Sequence, residues 1–206
     1  MSRRLTVAAL ILGSVIGTSA MAGPYDDATA AYKRGDYATA LKLIRPFAEK
    51  GNVSAAYNLA TMYYNGEGTR RDYAEAMKWF RQAAEKGDLD SERYLGFMNA
   101  QGQGVSKNDA EALKWYGLAA DQGDADAANN LGVLYSDGRG TMKDLVQAHK
   151  WFSIAAKRYP ANEQQNRETA QKNVDKLVKQ MSPAQISEAQ KLAGEWRPKA
   201  RRAPQG

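Results

Sequence analysis

One motif returns three times along the chain at a constant spacing of 36 residues, and this spacing constrains the fold more than any other feature. Each copy begins with Gly-x-Gly, continues through Lys-Trp and ends with two alanines. The copies read GEGTRRDYAEAMKWFRQAA from Gly66, GQGVSKNDAEALKWYGLAA from Gly102 and GRGTMKDLVQAHKWFSIAA from Gly138. Repetition at a fixed period is typical of a solenoid, in which every unit buries its apolar face against its neighbours.

Three units align without gaps, at residues 52–87, 88–123 and 124–159. Within a unit, apolar residues return at steps of three and four, a periodicity that predicts amphipathic helices. We therefore predict two antiparallel helices in each unit and an all-α solenoid of helix pairs. Eight positions are identical in all three units: Leu59/Leu95/Leu131, Gly66/Gly102/Gly138, Gly68/Gly104/Gly140, Ala76/Ala112/Ala148, Lys78/Lys114/Lys150, Trp79/Trp115/Trp151, Ala83/Ala119/Ala155 and Ala84/Ala120/Ala156.

The glycine pair is predicted to form the corner between the two helices. Glycine adopts a positive φ without steric cost, which suits the end of the first helix and the turn. Asp72 and Asp144, with Asn108 or Asp109 in the middle unit, are then placed to cap the second helix. A glycine-rich turn before a helix can also bind phosphate. A nucleotide-binding loop, however, needs Lys-Ser/Thr after the glycines and an upstream strand, and the sequence shows neither.

The repeated tryptophans, Trp79, Trp115 and Trp151, have two interpretations. They could form a ladder on which bases or sugars stack. Each one, however, accompanies the alanine pair, where two helices can approach closely and an indole ring can fill the adjoining space. We therefore predict that the tryptophans are core residues.

The array resembles the Sel1-like repeat family, a branch of the tetratricopeptide superfamily. The matching segments are LATMYYNGEGTRRDYAEAMKWFRQAAEKG, LGFMNAQGQGVSKNDAEALKWYGLAADQG and LGVLYSDGRGTMKD…AHKWFSIAA, all within residues 52–159. Upstream, Asp36 to Leu41 repeats the pattern of Asp72 to Met77. Residues 23–51 are therefore predicted to be a shortened first helix-pair repeat, in which the turn has no Gly-x-Gly.

The resemblance implies a binding surface, because the first helices of tetratricopeptide units line a concave groove. Arg93 would clamp a carboxylate or carbonyl there, and Tyr57, Tyr64 and Phe97 would be apolar anchors for an extended peptide. The alternative is a solvated face that binds nothing in particular. The predicted partner-binding residues are Tyr57, Thr61, Tyr64, Arg93, Phe97, Asn129 and Val133, within a wider set that adds Ser54, Asn65, Asp90, Gln101, Asp126 and Asp137.

The repeat stops at Pro160, and two helices are predicted over residues 160–196 that cap the array. Ser182 and Pro183 supply the N-cap and first position of the second one. Tyr159 replaces the closing glycine of the other units, so we expect the last repeat to continue into a longer helix. Residues 197–206 are expected to form a disordered basic tail. The apolar stripe of the first capping helix comprises Ala170, Val174, Leu177, Val178 and Met181.

Residues 1–22 have the pattern of a secretory signal peptide. Arg3 and Arg4 precede the apolar run LTVAALILGSVIG, and Ala20 and Ala22 form an A-x-A cleavage site. The run is too short to span a bilayer. We therefore expect an exported protein, periplasmic or secreted, and the absence of cysteine from the sequence excludes disulfides.

The net charge of +6 is unevenly distributed. Residues 23–159 carry 18 basic and 18 acidic side chains, whereas residues 160–206 carry 9 and 5. The basic character is therefore a property of the C-terminal segment, which argues against a nucleic-acid-binding face. It leaves open an alternative, attachment to an anionic envelope polymer or lipid surface through Arg197, Lys199, Arg201 and Arg202.

The sequence predicts no catalytic residue, no metal ligand and no cofactor. His149 is the only histidine, and it occupies the position held by Met77 and Leu113 in the other units, which indicates a packing or surface residue. A third alternative, a cell-wall-directed hydrolase, would need two carboxylates in one pocket with at least one strongly perturbed pKa. The main hypothesis is a non-enzymatic protein- or peptide-binding adaptor.

Overall fold

The structure, a computed structural model, describes residues 24–200, which form ten α-helices. Successive helices pack against each other as antiparallel pairs, and this range holds no strand. The predicted all-α solenoid is confirmed. The predicted signal peptide lies outside the described residues. The helices are α1 Pro24–Lys33, α2 Tyr37–Glu49, α3 Val53–Asn65, α4 Tyr73–Glu85, α5 Leu89–Gln101, α6 Asp109–Asp121, α7 Ala125–Asp137, α8 Leu145–Arg158, α9 Gln164–Val178 and α10 Pro183–Glu195.

Each repeat helix begins at a side-chain cap. The carboxylate of Asp72 accepts a hydrogen bond from the Glu75 N–H at 3.0 Å, and Asn108 does the same for Glu111. The first helices are capped in the same manner, by Asn52, Asp88 and Asp124. These caps satisfy N–H groups that have no partner within the helix. They therefore set the starting point of each helix, and Asn108 is the cap of α6.

The Gly-x-Gly corner brings one unit against the unit before it. Gly102 ends α5 in the left-handed conformation, at φ +70°. A Cβ atom on Gly104 would lie 2.5 Å from the carbonyl oxygen of Tyr73, at the start of the preceding unit's second helix. Gly68 and Gly140 stand in the same relation to Tyr37 and Asp109. The glycines therefore form a packing corner, as predicted.

This contact also explains the missing motif in the first helix pair. Gly35 lies in the turn between α1 and α2, and a Cβ atom there would meet no atom within 4 Å. Among the described residues no helix pair precedes α1, so no backbone approaches this turn. In the other units the second glycine makes room for the backbone of the preceding unit, and this turn needs no such glycine.

The repeated tryptophans lie in the core, as predicted. The exposed fractions of Trp79, Trp115 and Trp151 are 5%, 7% and 5%. The neighbouring alanines, such as Ala119 and Ala120, are fully buried. Small side chains allow close helix approach, and the indoles fill the space that remains.

Both C-terminal helices pack against α8. Val174 and Leu177 of α9 are buried in one cluster with Phe152 of α8. Helix α10 begins as predicted, with Ser182 accepting from the Gln185 N–H and the Gln185 side chain accepting from the Ser182 N–H. Together the two helices cover the apolar face that α8 would otherwise expose.

The expected helical extension beyond the last repeat is wrong. Helix α8 ends at Arg158, and Tyr159 is extended at φ −58° and ψ 129°. Pro160 causes this end, since proline disfavours the helical conformation of the residue before it. Tyr159 is buried, and its hydroxyl turns back toward α7.

The first residues of the C-terminal tail are bound, contrary to the expectation of disorder. The Lys199 N–H donates to the Asp121 carbonyl at 2.7 Å, and the Lys199 ammonium lies 2.5 Å from the Asp121 carboxylate. Trp196 packs edge-on against Trp151 at 6.3 Å. Residues 201–206 of the predicted tail lie outside the described residues.

Candidate partner-binding groove

The seven residues predicted to bind a partner lie on the first helices of the repeats, three on α3, two on α5 and two on α7. Six of them are half-buried, and Thr61 is buried at 8% exposure. The Thr61 hydroxyl donates to the Tyr57 carbonyl at 3.0 Å within α3. Thr61 therefore supports its own helix and offers little surface to a partner.

The tyrosines of α3 join an aromatic cluster centred on Tyr94 of α5. The ring of Tyr94 stacks on Phe80 with centroids 4.6 Å apart and an interplanar angle of 7°. The Tyr64 and Tyr57 rings lie 5.5 Å and 6.2 Å from Tyr94. Such contacts hold the rings in fixed positions. The cluster therefore presents a rigid aromatic wall, in which Tyr57 and Tyr64 are half-buried and Tyr94 and Phe80 are buried.

A pocket of about 250 Å³ lies beside this wall, between α5, α7 and α9. We call it the α5–α7–α9 pocket. It contains three of the predicted residues, Arg93, Phe97 and Asn129. Its full lining is Arg93, Tyr94, Phe97, Asp126, Asn129, Asn130, Tyr159, Asn166 and Thr169. Amides, a carboxylate and aromatic rings meet here, a combination that can bind both the backbone and a side chain of a peptide.

Arg93 is held by carboxylates of its own chain. Its Nη2 lies 2.7 Å from Asp90 Oδ1, and its Nε lies 3.2 Å from Asp124 Oδ2. The guanidinium also lies over the Tyr94 ring, 5.5 Å from its centroid. Burial alone lowers the pKa of Arg93, but Asp124 and Asp90 outweigh that effect and raise it. The structure thus gives Arg93 internal partners in addition to its place in the pocket.

The carboxylates around Arg93 outnumber it. Burial raises the pKa of Asp124 to about 6, against the lowering influence of Arg93, and Asp126 and Asp90 raise it further. Asp126 accepts a hydrogen bond from the Tyr159 hydroxyl at 2.9 Å. Two carboxylates therefore contact one guanidinium and a third lies nearby, so the local charge is negative when all are ionised.

Helix α9 forms the wall of the pocket on the side of the C-terminal helices. Asn166 and Thr169 of α9 line the pocket. One turn later, the Asn173 amide lies 3.5 Å from the Asn129 side-chain oxygen. Val133, predicted to bind a partner, instead packs against the cluster that includes Val174 and Leu177. The capping helix therefore covers the outermost of the seven predicted residues.

The sequence interpretation missed five residues that line the pocket, namely Tyr94, Asn130, Tyr159, Asn166 and Thr169. Tyr94 occupies the position of Asn58 and Asn130 in the other units. The change from asparagine to tyrosine directly before the repeated leucine is the sequence signal that could have identified it. Two of the five, Asn166 and Thr169, come from outside the repeat, so the repeat pattern holds no signal for them.

A second cleft, of about 670 Å³, lies between α8, α9 and α10. His149 lies in its floor, 2% exposed, with Nδ1 3.3 Å from the Ser153 hydroxyl. Burial lowers the pKa of His149. The cleft is lined by both acidic and basic groups, including Glu168 and Arg167. His149 is therefore a buried packing residue. Over residues 24–200, no group of three side chains is arranged to hold a metal ion.

Stacked helix pairs with a 36-residue stride define an α-solenoid repeat protein. The Sel1 repeat model matches residues 53–88, 89–124 and 125–159, just over half of the sequence. The chain therefore belongs to the Sel1 repeat family. Proteins of this family typically serve as protein-interaction scaffolds without catalytic activity.

Two solved structures resemble the chain closely enough to support this assignment. A Sel1 repeat protein from Oxalobacter formigenes is 26% identical with a TM-score of 0.61, over 85% of this chain and 86% of that one. A protective antigen of uropathogenic Escherichia coli with an SLR fold is 25% identical with a TM-score of 0.56. That match covers 85% of this chain but only 45% of the antigen. No functionally curated protein matches the chain.

Proposed function

We propose that the protein is a non-enzymatic adaptor of the bacterial cell envelope, which holds an extended segment of another protein or peptide in the groove along α3, α5 and α7. The observation that carries the proposal is the α5–α7–α9 pocket. It unites Phe97, Asn129 and the aromatic wall around Tyr94 at positions that the repeat presents on one side. The family's typical role as a scaffold supports it.

The polar groups of the pocket suit a peptide backbone. The side-chain amides of Asn129, Asn130 and Asn166 can each both donate and accept, and part of this capacity is used by Asn173 on Asn129 and by Glu163 on Asn166. An extended peptide exposes one N–H and one C=O per residue and loses affinity if these groups are buried without partners. Rigid rings beside the amides add contact area at low entropic cost.

The location in the envelope rests on the predicted leader at residues 1–22. Within residues 24–200, no helix has both the length and the apolar character that a membrane crossing needs. For the alternative, attachment through the basic tail, Lys199 is paired with Asp121 at the surface, which reduces the share of this one cation.

The hydrolase alternative has one observation in its favour, a pair of carboxylates near the pocket with a raised pKa at Asp124. Asp124, however, accepts the Ala127 N–H at 2.6 Å as the cap of α7 and is paired with Arg93. These structural roles account for its burial. The adaptor function remains the better supported one.

The proposal is tested by filling the pocket. Thr169→Trp places a large side chain at the wall formed by α9, and Arg81→Trp makes the same change on the exposed surface of α4. Immobilised wild-type protein and the Arg81→Trp variant should retain the same partner from the exported fraction, and Thr169→Trp should not. Equal retention by all three proteins would remove the pocket from the binding surface.

A further inference from the structure

We propose that the α5–α7–α9 pocket receives an arginine side chain of the partner's extended segment. This inference rests on the proposed function and specifies the chemistry of the partner. The contacts in the pocket favour a cation over an anion, because Arg93, the one cationic group among the described residues of its lining, already has partners in Asp90 and Asp124.

The charge balance of the pocket is the first argument. Asp90 and Asp124 contact the guanidinium of Arg93, and the charge of the nearby Asp126 also acts on it. Two of the three negative charges therefore remain uncompensated when the carboxylates are ionised. The partly buried setting weakens the screening of these charges by solvent. A second cation is attracted to such a site, and an anion is repelled.

The position of Asp126 is the second argument. One carboxylate oxygen accepts the Tyr159 hydroxyl, which holds the group in place. Asp126 lines the α5–α7–α9 pocket and also the adjoining cleft of about 460 Å³, which includes Asp124 and Glu163. A cation in the pocket would therefore meet a fixed carboxylate, beside a cleft in which Asp124, Asp126 and Glu163 outnumber the cation Arg158.

The shape of the pocket favours arginine over lysine. A volume of about 250 Å³ admits one long side chain. The half-buried ring of Phe97 offers an apolar face on which a planar guanidinium can stack, whereas the Tyr94 ring already stacks on Phe80 and lies under Arg93. The amide oxygens of Asn129 and Asn130 can accept from its fixed fork of N–H groups. A lysine ammonium uses fewer of these features.

The test uses N-acetyl-arginine-amide as the probe and N-acetyl-citrulline-amide as a neutral analogue of the same shape. Backbone amide NMR shifts of the purified protein are followed at pH 7.5 as each probe is added. We expect shifts at residues 93–97, 126–130 and 166–169, with roughly tenfold weaker binding of the citrulline probe. Asp126→Asn should weaken binding of the arginine probe, and Asp27→Asn, an exposed change on α1, should not.

Shifts that are absent from the pocket, or equal for both probes, would overturn the proposal. A variant that ends at Ala200 tests whether the chain's own basic tail occupies the pocket. Lys199, next to the end of the described residues, contacts Asp121. Binding seen only in that variant would make the tail the occupant, against the proposal. The two proposals can fail separately. If the arginine probe does not bind but Thr169→Trp still loses the partner, the groove binds a partner that inserts no arginine, and only this further inference is wrong.

Discussion

The Nε atom of Arg93 lies 3.2 Å from Oδ2 of Asp124, the residue that caps the next first helix along the solenoid. This pair links α5 of one repeat to α7 of the following one across the base of the pocket. Both side chains are mostly buried, with exposed fractions of 16% and 13%. The same ion pair therefore stabilises the packing of two repeats and sets part of the charge of the candidate binding site.

Removal of the Arg93 side chain should destabilise the fold. Arg93→Ala leaves Asp90, Asp124 and Asp126 without their shared counter-charge, and loss of one partner of a buried pair costs about 3 kcal/mol or more. Urea unfolding monitored by circular dichroism measures the change. Arg81→Ala, an exposed change on α4, is the control and should stay within about 0.5 kcal/mol of wild type. Equal stability of the two variants would contradict the role assigned to the pair.

The ionisation of Asp124 should make stability fall as pH rises. Its folded pKa is about 6, above the ordinary value of 3.8, so between these values the folded state holds a proton that the unfolded state has lost. The contribution of Asp124 therefore decreases through this window, by at most about 3 kcal/mol. The groups that act on it are Arg93 and Asp90 from α5, Tyr116 from α6, Asp126 from α7, and Tyr159.

The measurement is the difference between the stability curves of wild type and Asp124→Asn from pH 4 to pH 7. Asparagine keeps the cap and removes the titration. The variant should gain stability relative to wild type as pH rises. His149, with a lowered pKa, acts in the opposite direction but equally in both proteins. The exposed Asp137→Asn variant is the control. If the difference in unfolding free energy between Asp124→Asn and wild type stays as constant with pH as that of the control, Asp124 does not titrate in this range.

The second glycine of the corner should be intolerant of any side chain. Gly104→Ala introduces a Cβ 2.5 Å from the Tyr73 carbonyl at a φ of +75°, so backbone must move in two repeats. We expect a loss of about 2 kcal/mol or more in the free energy of unfolding. Gly117→Ala is the matched control, because its Cβ meets no atom within 4 Å inside helix α6. It should be neutral or stabilising by up to about 1 kcal/mol. Similar effects of the two changes would refute the packing corner.

Two of the core tryptophans differ in one hydrogen bond. The indole N–H of Trp79 donates to Glu75 at 3.1 Å, whereas that of Trp115 has no partner among the described residues. Replacement by phenylalanine removes similar volume at both sites, so the cost of Trp79→Phe should exceed that of Trp115→Phe by about 1 kcal/mol. Thermal and urea unfolding of the pair measures this difference, and the reverse order would argue against it.

The fold was predictable because its signals are local and repeated. The caps at Asp72 and Asp144, the glycine corners and the buried tryptophans each depend on residues within one 36-residue unit or at the same position of the next. Three copies of one pattern reinforce one another. The helical extension at Tyr159 failed where the pattern ended, because Pro160 decides the backbone there.

The candidate site was predictable only in part. The repeat placed Phe97 and Asn129 on the first helices, where the pocket includes them. It could not identify Asn166, since α9 lies outside the repeat and reaches the pocket through tertiary packing. The pairing of Arg93 with Asp124 also joins residues far apart in sequence, and charge alone does not specify which carboxylate a guanidinium will contact.

Site-specific photocrosslinking tests the central claim that the partner lies in the groove. A benzoylphenylalanine at Asn130, in the pocket, is compared with one at Arg81, on the exposed surface of α4, in cells that export the protein. The account predicts a crosslinked partner at Asn130 and none at Arg81, with the crosslink mapping to an extended segment that carries an arginine. Crosslinking to the same partner at Arg81 but not at Asn130 would contradict it.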